Sequence, residues 1–327
     1  MDSGNSLPPS SSLMPLPSSS LPSSSLTNPQ LKIVKFLRHL LPILSSSFVA
    51  PPKTKKVISK VISNLDFYLP FRQHAPSLMN ARREIYANVD RLASDNGVGF
   101  FNILAFRGVF FGSPFATSDR YRWFDSLTDW EHFRDTEKGE ENKHNGEEYY
   151  VKKNCYGQSQ NLRKLSLLPE YWNQHLLWNN TFNKSTKPTV TNVYRWLTSR
   201  DTNPETNATF TVFRNIGSLT ALLICGDLVE AGILPMPSIG EWADSVAKMG
   251  KGSKSGMEMC GFIGKDSSRE EFCDAFASLD QALQKELSED EMAAMGYNII
   301  MLEHALCKIN RISTSLKKEV LYSEIFM

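Results

Sequence analysis

The sequence predicts a mostly α-helical protein with a disordered N-terminal leader, amphipathic basic helices and a C-terminal helical bundle built on helical hairpins. Two observations support this fold class. Apolar residues recur every three to four positions through most of the chain, which is the spacing of one face of a helix. Ser-x-x-Glu capping boxes begin at Ser238, Ser268 and Ser288, where each side chain can satisfy the other residue's backbone N–H as a helix starts. The composition, 41% hydrophobic and 22% charged, is that of an ordinary globular protein.

Residues 1–26 form the predicted leader. Leu16 to Ser20 and Leu21 to Ser25 repeat a Leu-Pro-Ser-Ser-Ser unit, which offers little to pack and whose prolines block regular backbone pairing. We therefore expect disorder, with an inert tail, a phosphorylatable tether and a targeting peptide as the alternative roles. The remaining predicted parts are a basic amphipathic helical arm (27–70), an aromatic-rich, mainly helical region (77–200) and the C-terminal bundle (207–313).

The arm of residues 27–70 combines helical apolar spacing with an excess of positive charge. No acidic residue occurs between Asp2 and Asp66, whereas the chain from Asp66 onward carries 29 basic and 34 acidic residues. Helices of this kind dock on a protein body, bind nucleic acid or an anionic membrane surface, or direct a chain to an organelle. The candidates for contact with an anion, all within residues 31–60, are Lys32, Lys35, Arg38, Lys53, Lys55, Lys56 and Lys60.

The apolar run from Val98 to Gly112 comes nearest to a membrane span. It is shorter than the ~20 residues that a spanning helix needs, and Arg107 inside it would cost ~3 kcal/mol in a bilayer. We expect no transmembrane segment and interpret the run as a buried core segment. Its lack of alternation leaves open a helix buried on all sides or two short strands, with the helix favoured.

Residues 120–134 are rich in aromatic rings and arginine, a combination that can stack on bases and contact phosphates. Trp123, Leu127 and Trp130, however, have helical spacing, and neighbouring acidic residues would repel a phosphate backbone. Thr128 and Glu131 offer a capping box for the same helix. We therefore expect these rings to pack in the core.

The bundle is predicted from two helical hairpins. The first runs from Asn215 to Met249 and turns at Gly232, after which two prolines prevent the helix from continuing. The second joins a helix after Ser268 to a long helix after Ser288, whose apolar seam extends from Met292 to Ile309. We expect the two helices of the second hairpin to pack antiparallel.

Motifs for nucleotide, cofactor or metal chemistry are missing from the sequence. The GKGSKSG segment at 250–256 does not match the G-x-x-x-x-G-K-[ST] phosphate loop, so we interpret it as a flexible basic linker. The five cysteines are widely spaced without a C-x-x-C pair, which indicates reduced thiols and an intracellular location, cytoplasmic or nuclear. We expect no cofactor and no metal site.

One group of residues could support acid–base chemistry. Asp227 and Glu230 lie at the edge of the apolar face of the first hairpin, and Glu303 and His304 lie on the last long helix. The spacing differs from the Glu-x-x-His pattern of di-iron bundles, so a metal is not predicted. An active site would require the four side chains to meet in one pocket, and packing at the edge of the core is the alternative.

Abundant helix signals without a catalytic constellation favour an intracellular helical interaction or scaffold protein. Its partner would be a protein, which docks on the bundle or on the aromatic region. The first alternative is association with nucleic acid or an anionic surface through residues 31–60, with binding that weakens steeply as salt rises. The second is an enzyme with an acidic/His site in the bundle.

Overall fold

The computed structural model describes residues 27–45, 47–49, 55–87, 89–92, 97–137, 149, 163–182, 188–202, 209–249 and 251–326, and in them the protein is mostly α-helical, as predicted. The predicted leader at 1–26 lies outside the described residues. The α-helices are α1 (Asn28–Leu40), α2 (Lys56–Ile62), α3 (Leu65–Tyr68), α4 (Pro76–Ala81), α5 (Val89–Leu92), α6 (Val98–Ala105), α7 (Leu127–Glu137), α8 (Leu167–Asn173), α9 (Leu177–Phe182), α10 (Val190–Leu197), α11 (Ser218–Glu230), α12 (Ile239–Met249), α13 (Gly252–Cys260), α14 (Arg269–Glu286), α15 (Glu289–Met295), α16 (Ile299–Leu316) and α17 (Lys318–Leu321).

Shorter elements connect these helices. Short 3-10 turns cover Leu41–Leu44 and Arg72–His74, and π-helical turns cover Arg82–Tyr86, Phe106–Phe110 and Tyr322–Phe326. A hairpin pairs β1 (Arg200–Thr202) with β2 (Thr209–Thr211) in antiparallel register, with Arg200 opposite Thr211. Strands of three residues are too short for an alternating pattern to be visible in the sequence.

One hydrophobic cluster joins the described parts of the arm, the middle region and the bundle. Ile33 of α1, Phe101 of α6 and Leu302 of α16 all belong to it. A shared core does not show which segments fold alone, so the predicted division at 27–70, 77–200 and 207–313 stays a prediction.

Helix α6 and the π-helical turn after it form the centre of the middle region. Every residue from 98 to 110 is buried, which confirms the helix buried on all sides and explains the absence of an alternating pattern. None of the described helices is long and apolar enough to cross a membrane. The π-helical turn contains Arg107, the charged residue of an otherwise apolar run.

The aromatic rings of residues 120–134 lie in the core, as predicted. Phe115 and Trp130 occupy its centre with their ring centroids 6.1 Å apart, and Trp130 makes an edge-to-face contact with Tyr149. The capping box expected at Thr128 does not form. Helix α7 begins two residues earlier than a cap at Thr128 would place it, at Leu127, and Ser126 Oγ accepts the hydrogen bond from the Asp129 N–H.

The first hairpin of the bundle has the predicted form. Helix α11 ends before Gly232, whose φ of 75° is the left-handed conformation that glycine adopts without strain. Helix α12 follows, and the Ser238–Glu241 capping box is present at its start. The capping boxes before α14 and α15 are also confirmed.

The second hairpin differs from the prediction in two ways. The long helix expected after Ser288 is broken into α15 and α16 at Gly296, whose φ is 63°, and Asn298 caps the new helix. Helix α14 does not pack along α16 but against α12, and the main neighbour of α16 is α13. The break redirects α16 and thereby changes its packing partner.

Residues 252–256 of the segment predicted as a flexible linker form the start of α13. A Cβ atom at Gly252 would overlap the sulfur of Cys307, and one at Gly256 would overlap the backbone of Leu306. These glycines, four residues apart, therefore lie on the face that contacts α16, where only hydrogen side chains fit. The glycines that suggested flexibility in the sequence bring two helix backbones into close contact.

Candidate functional site: a buried ion-pair junction and its cavity

Asp227 lies at the centre of a buried group of charged residues, which we call the Asp227 junction (Arg72, Tyr86, Arg107, Asp227 and Glu230). Its carboxylate accepts hydrogen bonds from Arg72 Nη2 at 2.5 Å, from Arg107 Nε and Nη2 at 2.5 Å each, and from Tyr86 Oη at 3.0 Å. The side chains of Asp227, Arg72 and Arg107 are almost completely excluded from solvent. A carboxylate has about four lone-pair sites, so these four donors saturate it.

Irregular backbone positions the donors. Arg72 belongs to the 3-10 turn before α4, Tyr86 ends one π-helical turn, and Arg107 lies in another. π-Helical turns insert a residue into a helix and are frequent at functional sites, because they aim side chains that a regular helix would point elsewhere. Arg72 also donates from Nη2 to the Leu223 carbonyl at 2.9 Å, which ties it to the preceding turns of α11.

The junction is balanced in formal charge. Two guanidinium groups face Asp227 and Glu230, and Arg72 Nε lies 3.4 Å from Glu230 Oε2. Burial, followed by the neighbouring Asp227 carboxylate, raises the pKa of Tyr86 well above its ordinary value, so its hydroxyl acts as a donor. Removing one partner from such a group leaves an uncompensated buried charge, which typically costs about 3–5 kcal/mol.

A cavity of about 320 Å³ opens beside the junction. Glu230 and Asp227 form part of its wall, together with Tyr86. Arg82 and Ala231 are half-buried and Ala87 is exposed, which places the mouth of the cavity at these residues. The complete lining is Leu78, Arg82, Tyr86, Ala87, Asp227, Glu230 and Ala231.

Glu303 and His304 are buried, but neither lines this cavity. Glu303 accepts a hydrogen bond from Ser253 Oγ at 3.2 Å, and burial raises the pKa of its carboxyl group. His304 Nε2 donates to the Leu69 carbonyl at 3.2 Å. Burial lowers the pKa of His304 well below its ordinary value, and the nearby cations of Lys308, Arg72, Arg311 and Arg107 act in the same direction.

The structure therefore brings together two of the four acidic/His candidates. Asp227 and Glu230 share the junction and the cavity, whereas Glu303 and His304 face α13 and the segment before Arg72. The expectation that Asp227 lies at the edge of the core was wrong: it is 1% exposed. The prediction that all four residues form one catalytic site is not supported by a shared pocket.

Sequence analysis missed Arg72, Arg107 and Tyr86. A usable signal existed at Arg107, because a charged residue inside a segment predicted to be buried must have a counter-charge. The sequence does not reveal which carboxylate supplies it, since Arg107 and Asp227 are 120 positions apart. Arg72 and Tyr86 have no comparable local signal.

The basic residues of the arm contact the C-terminal part of the same chain. Lys32 Nζ donates to the Cys260 carbonyl at 3.2 Å and lies over the Tyr322 ring, and Lys35 Nζ donates to the Phe326 carbonyl at 3.3 Å. Arg38 binds both oxygens of Glu291, at 2.7 and 3.0 Å.

The second helix of the arm is held in a similar way. The Glu324 carboxylate accepts the backbone N–H groups of Lys56 and Val57 at 3.0 and 2.9 Å, which caps α2, and Lys55 Nζ donates to the Glu324 carbonyl. Lys60 lies over the Tyr68 ring at 4.7 Å. Lys53 is outside the described residues. These contacts do not test anion binding, so the seven anion-contact candidates stay a prediction.

The described residues contain no group of three or more His, Cys, Asp or Glu side chains arranged to hold a metal ion. Cys225, Cys260, Cys273 and Cys307 form no disulfide. Burial raises the pKa of the Cys260 thiol to about 12, so its thiol is a poor nucleophile.

Comparison of the chain with protein-family models, with curated proteins and with solved structures finds no match. The fold and the site define a mostly α-helical protein with a buried ion-pair junction beside a small cavity, and its function has to be inferred from that geometry.

Proposed function

We propose that this chain is a non-catalytic interaction protein, a helical scaffold that acts by binding a protein partner. The observation that carries this proposal is the saturation of Asp227 by donors from Arg72, Arg107 and Tyr86. A general base needs a free lone pair within hydrogen-bond reach of its substrate. The most deeply buried carboxylate of the candidate site has none left, and its contacts instead join separate segments of the chain.

Two of the other three candidate acid–base residues support the same conclusion. Glu303 and His304 are buried away from the cavity and bond to Ser253 and Leu69 of their own chain. The rings of residues 120–134 are also buried, so this stretch offers no stacking surface. Partner docking is therefore expected on the outer faces of the C-terminal bundle.

The contacts of the arm bear on the nucleic-acid and membrane alternative. Arg38 is paired with Glu291 and Glu286, and Lys32 and Lys35 donate to backbone carbonyls. Phosphate groups would have to compete with these contacts, which makes docking of the arm on the bundle the favoured role of its charges. We assign the protein to the cytoplasm or nucleus, where the unpaired state of the four described cysteines is the rule.

Affinity isolation of the full-length chain from its native cell extract tests the proposal, provided that the partner is then purified and the complex rebuilt from two components. We expect a complex of defined mass by light scattering that survives both about 0.15 M and about 0.5 M salt, because a packed interface is screened less than exposed charges. A chain that retains no partner but consumes a metabolite would overturn the proposal.

A parallel titration addresses the arm. The full-length protein is mixed with duplex DNA, RNA and anionic vesicles at low and near-physiological salt. Tight, salt-sensitive binding that disappears when Lys55 and Lys60 are replaced by Gln would favour the alternative class. Absence of binding leaves the interaction protein as the supported function.

A further inference from the structure

A second cavity, of about 370 Å³, lies between α3 and the C-terminal half of α16. Its volume is at the lower end of the range of about 300–1,000 Å³ found for ligand pockets. The rings of Phe67 and Tyr68, whose centroids are 4.8 Å apart, form part of its wall, and Cys307 adds further apolar surface. A small molecule with an aromatic body suits this wall, because aromatic rings favour edge-to-face and offset contacts with one another.

Polar side chains of α16 line the same cavity. Arg311 and Ser315 are four residues apart and therefore share one face of the helix, and Asn310 lies beside them. Asn310 and Arg311 are half-buried and Ser315 is exposed, so a ligand can reach these groups. The side-chain amide of Asn310 forms no hydrogen bond with any of the described residues, which leaves its N–H donors for a ligand.

Arg311 is the one charged residue among the described residues that line this cavity. Its Nη1 donates to the Phe67 carbonyl at 3.2 Å, and its Cζ lies 4.1 Å from the centroid of the Phe67 ring, which fixes the guanidinium group at the wall. A guanidinium group has five N–H donors and binds a carboxylate through two parallel hydrogen bonds. A carboxylate can therefore be bound in addition to the Phe67 carbonyl.

Two more cations lie beside the cavity. Lys60 Nζ is 4.7 Å from the centroid of the Tyr68 ring. Lys308 Nζ donates to the backbone carbonyls of Asp66 and Phe67, at 2.9 Å each. Both cations add to the positive charge that Arg311 brings to this part of the protein.

Two nearby carboxylates oppose these cations. Glu303 is buried and contacts Cys307, and the largest charge that acts on it is that of Arg72. The Asp66 carboxylate accepts hydrogen bonds from the N–H and the hydroxyl of Ser77. Burial raises the pKa of both carboxyl groups, so these two residues supply at most two negative charges against the three cations.

The Tyr68 hydroxyl reports the sign of the resulting potential. Burial raises its pKa, but hydrogen bonds with Ser315 and Lys60 and the charges of Lys60 and Arg311 lower it, and the pKa is lowered overall. A negative charge is therefore favoured here. The C-terminal end of α16 is equivalent to roughly half a negative charge and opposes an anion, but it does not outweigh the full charge of Arg311.

We propose that this cavity binds a small organic acid with an aromatic body, that is, an aryl-substituted carboxylate. The carboxylate pairs with Arg311 and accepts hydrogen bonds from the Asn310 amide and the Ser315 hydroxyl, and the aromatic body packs against the rings of Phe67 and Tyr68. This site goes beyond the proposed function, which concerns a protein partner.

Calorimetric titration of the full-length protein with four matched compounds tests the proposal. The compounds are 3-phenylpropanoate, 3-phenylpropanol, which lacks the charge, propanoate, which lacks the ring, and 3-phenylpropylamine, which reverses the charge. We expect a Kd on the order of 0.1–1 mM for 3-phenylpropanoate, binding at least about tenfold weaker for the alcohol and for propanoate, and none for the amine.

Three variants locate the site, each checked for its fold by circular dichroism. Asn310→Asp places a carboxylate beside the guanidinium group, so it weakens 3-phenylpropanoate by about tenfold and leaves the alcohol unchanged. Arg311→Lys keeps the charge but loses the planar fork, and it weakens the acid by about three- to tenfold. Asn192→Asp, at an exposed position of α10, is the control and changes neither. A folded wild-type protein that binds the acid no better than the alcohol, or an unchanged Kd of the acid in Asn310→Asp, overturns the proposal.

The outcome separates this site from the proposed function. Failure of the acid to bind, together with a complex rebuilt from the chain and a protein partner, would remove the site and leave the interaction protein standing. Binding of the acid by a chain that retains no protein partner would leave the site standing without the proposed function.

Discussion

Asp227 and Glu303 are both carboxylates on core helices, and both are almost fully buried, yet their surroundings differ. Asp227 on α11 accepts four hydrogen bonds, three of them from guanidinium groups. Glu303 on α16 accepts from the neutral hydroxyl of Ser253, and its carboxyl pKa is raised by burial. The cations of Arg72 and Lys308 counter that rise only in part.

The difference teaches that burial alone does not identify the residue on which the structure depends. Asp227 connects the 3-10 turn at Arg72, two π-helical turns and α11, which are far apart in the sequence. Glu303 belongs to one interface, between α13 and α16. The counter-charges, and not the depth of burial, distinguish a junction from a local contact.

The largest effect should follow from Asp227→Asn. The amide cannot neutralise the guanidinium groups of Arg72 and Arg107, so Glu230 is the one carboxylate of the junction left for both of them. We expect the free energy of unfolding to fall by about 3–5 kcal/mol, measured by urea denaturation followed by circular dichroism.

Asp274→Asn, at an exposed position of α14, is the matched control and should change stability by less than about 0.5 kcal/mol. Adding Arg107→Met to Asp227→Asn should recover part of the loss, because it removes the excess positive charge and leaves Arg72 with Glu230. Equal destabilisation by the two Asp→Asn changes would show that the charge of Asp227 contributes no more to stability than that of an exposed aspartate.

The interface that holds Glu303 is sensitive to size and not to charge. A methyl group at Gly256 would overlap the Leu306 carbonyl and push α13 away from α16. Gly256→Ala should therefore destabilise the protein by about 1–3 kcal/mol in the same urea assay. Gly240→Ala, on α12 with no atom within 4 Å of the added methyl, should stabilise by about 0.5–1 kcal/mol, since alanine is the better helix former. Effects of the same sign at both sites would disprove the close packing.

His304 should make stability depend on pH on the acid side. Its pKa in the folded protein lies well below the 6.5 of a free histidine, so the unfolded chain binds the proton more readily. Stability is then present above pH 6.5 and declines as pH falls toward the folded pKa, by about 1 kcal/mol between pH 7 and 5.5. The His304→Gln variant should lose less stability between pH 7 and 5.5. Parallel stability curves for the two proteins would rule out the contribution.

Glu303→Gln should give the smallest change and the opposite pH trend. The folded pKa of Glu303 is raised above 4.5, so its contribution to stability is fully present below pH 4.5 and is lost as pH rises through the folded pKa. The glutamine cannot lose a proton, so above pH 4.5 the stability of the variant should rise relative to that of the wild type. We expect the two free energies of unfolding to differ by less than about 1 kcal/mol at pH 5. A large loss at every pH would mean that Glu303, like Asp227, needs its charge.

The features that the sequence predicts correctly are local ones. Each capping box joins residues three positions apart, and Gly232 ends α11 by its own conformation, so no distant information is needed. The α15–α16 break was missed because the apolar spacing continues in phase across Gly296. A helical period alone cannot show that a chain changes direction at one residue.

The site is harder to predict because its contacts are long-range. Arg72 lies 155 positions from Asp227, and Arg38 lies 253 positions from Glu291. The charge count of residues 31–60 was correct, but it could not show that most of these cations face carbonyls, carboxylates and rings of the C-terminal part. Asp227 and Glu230 were identified as candidates from their position on a predicted helix, and their contacts were not predicted.

The contact between α1 and the turn Tyr322–Phe326 has a consequence for synthesis on the ribosome. Lys32 and Tyr322, which touch in the folded protein, are separated by 290 positions. At about 5–20 residues per second, α1 leaves the exit tunnel roughly 15–60 seconds before its partner exists. During that time the apolar side of α1, which includes Phe36 and Leu37, has no native surface to cover it. The docking of this first described helix therefore has to wait until the C-terminal part of the chain has been synthesised.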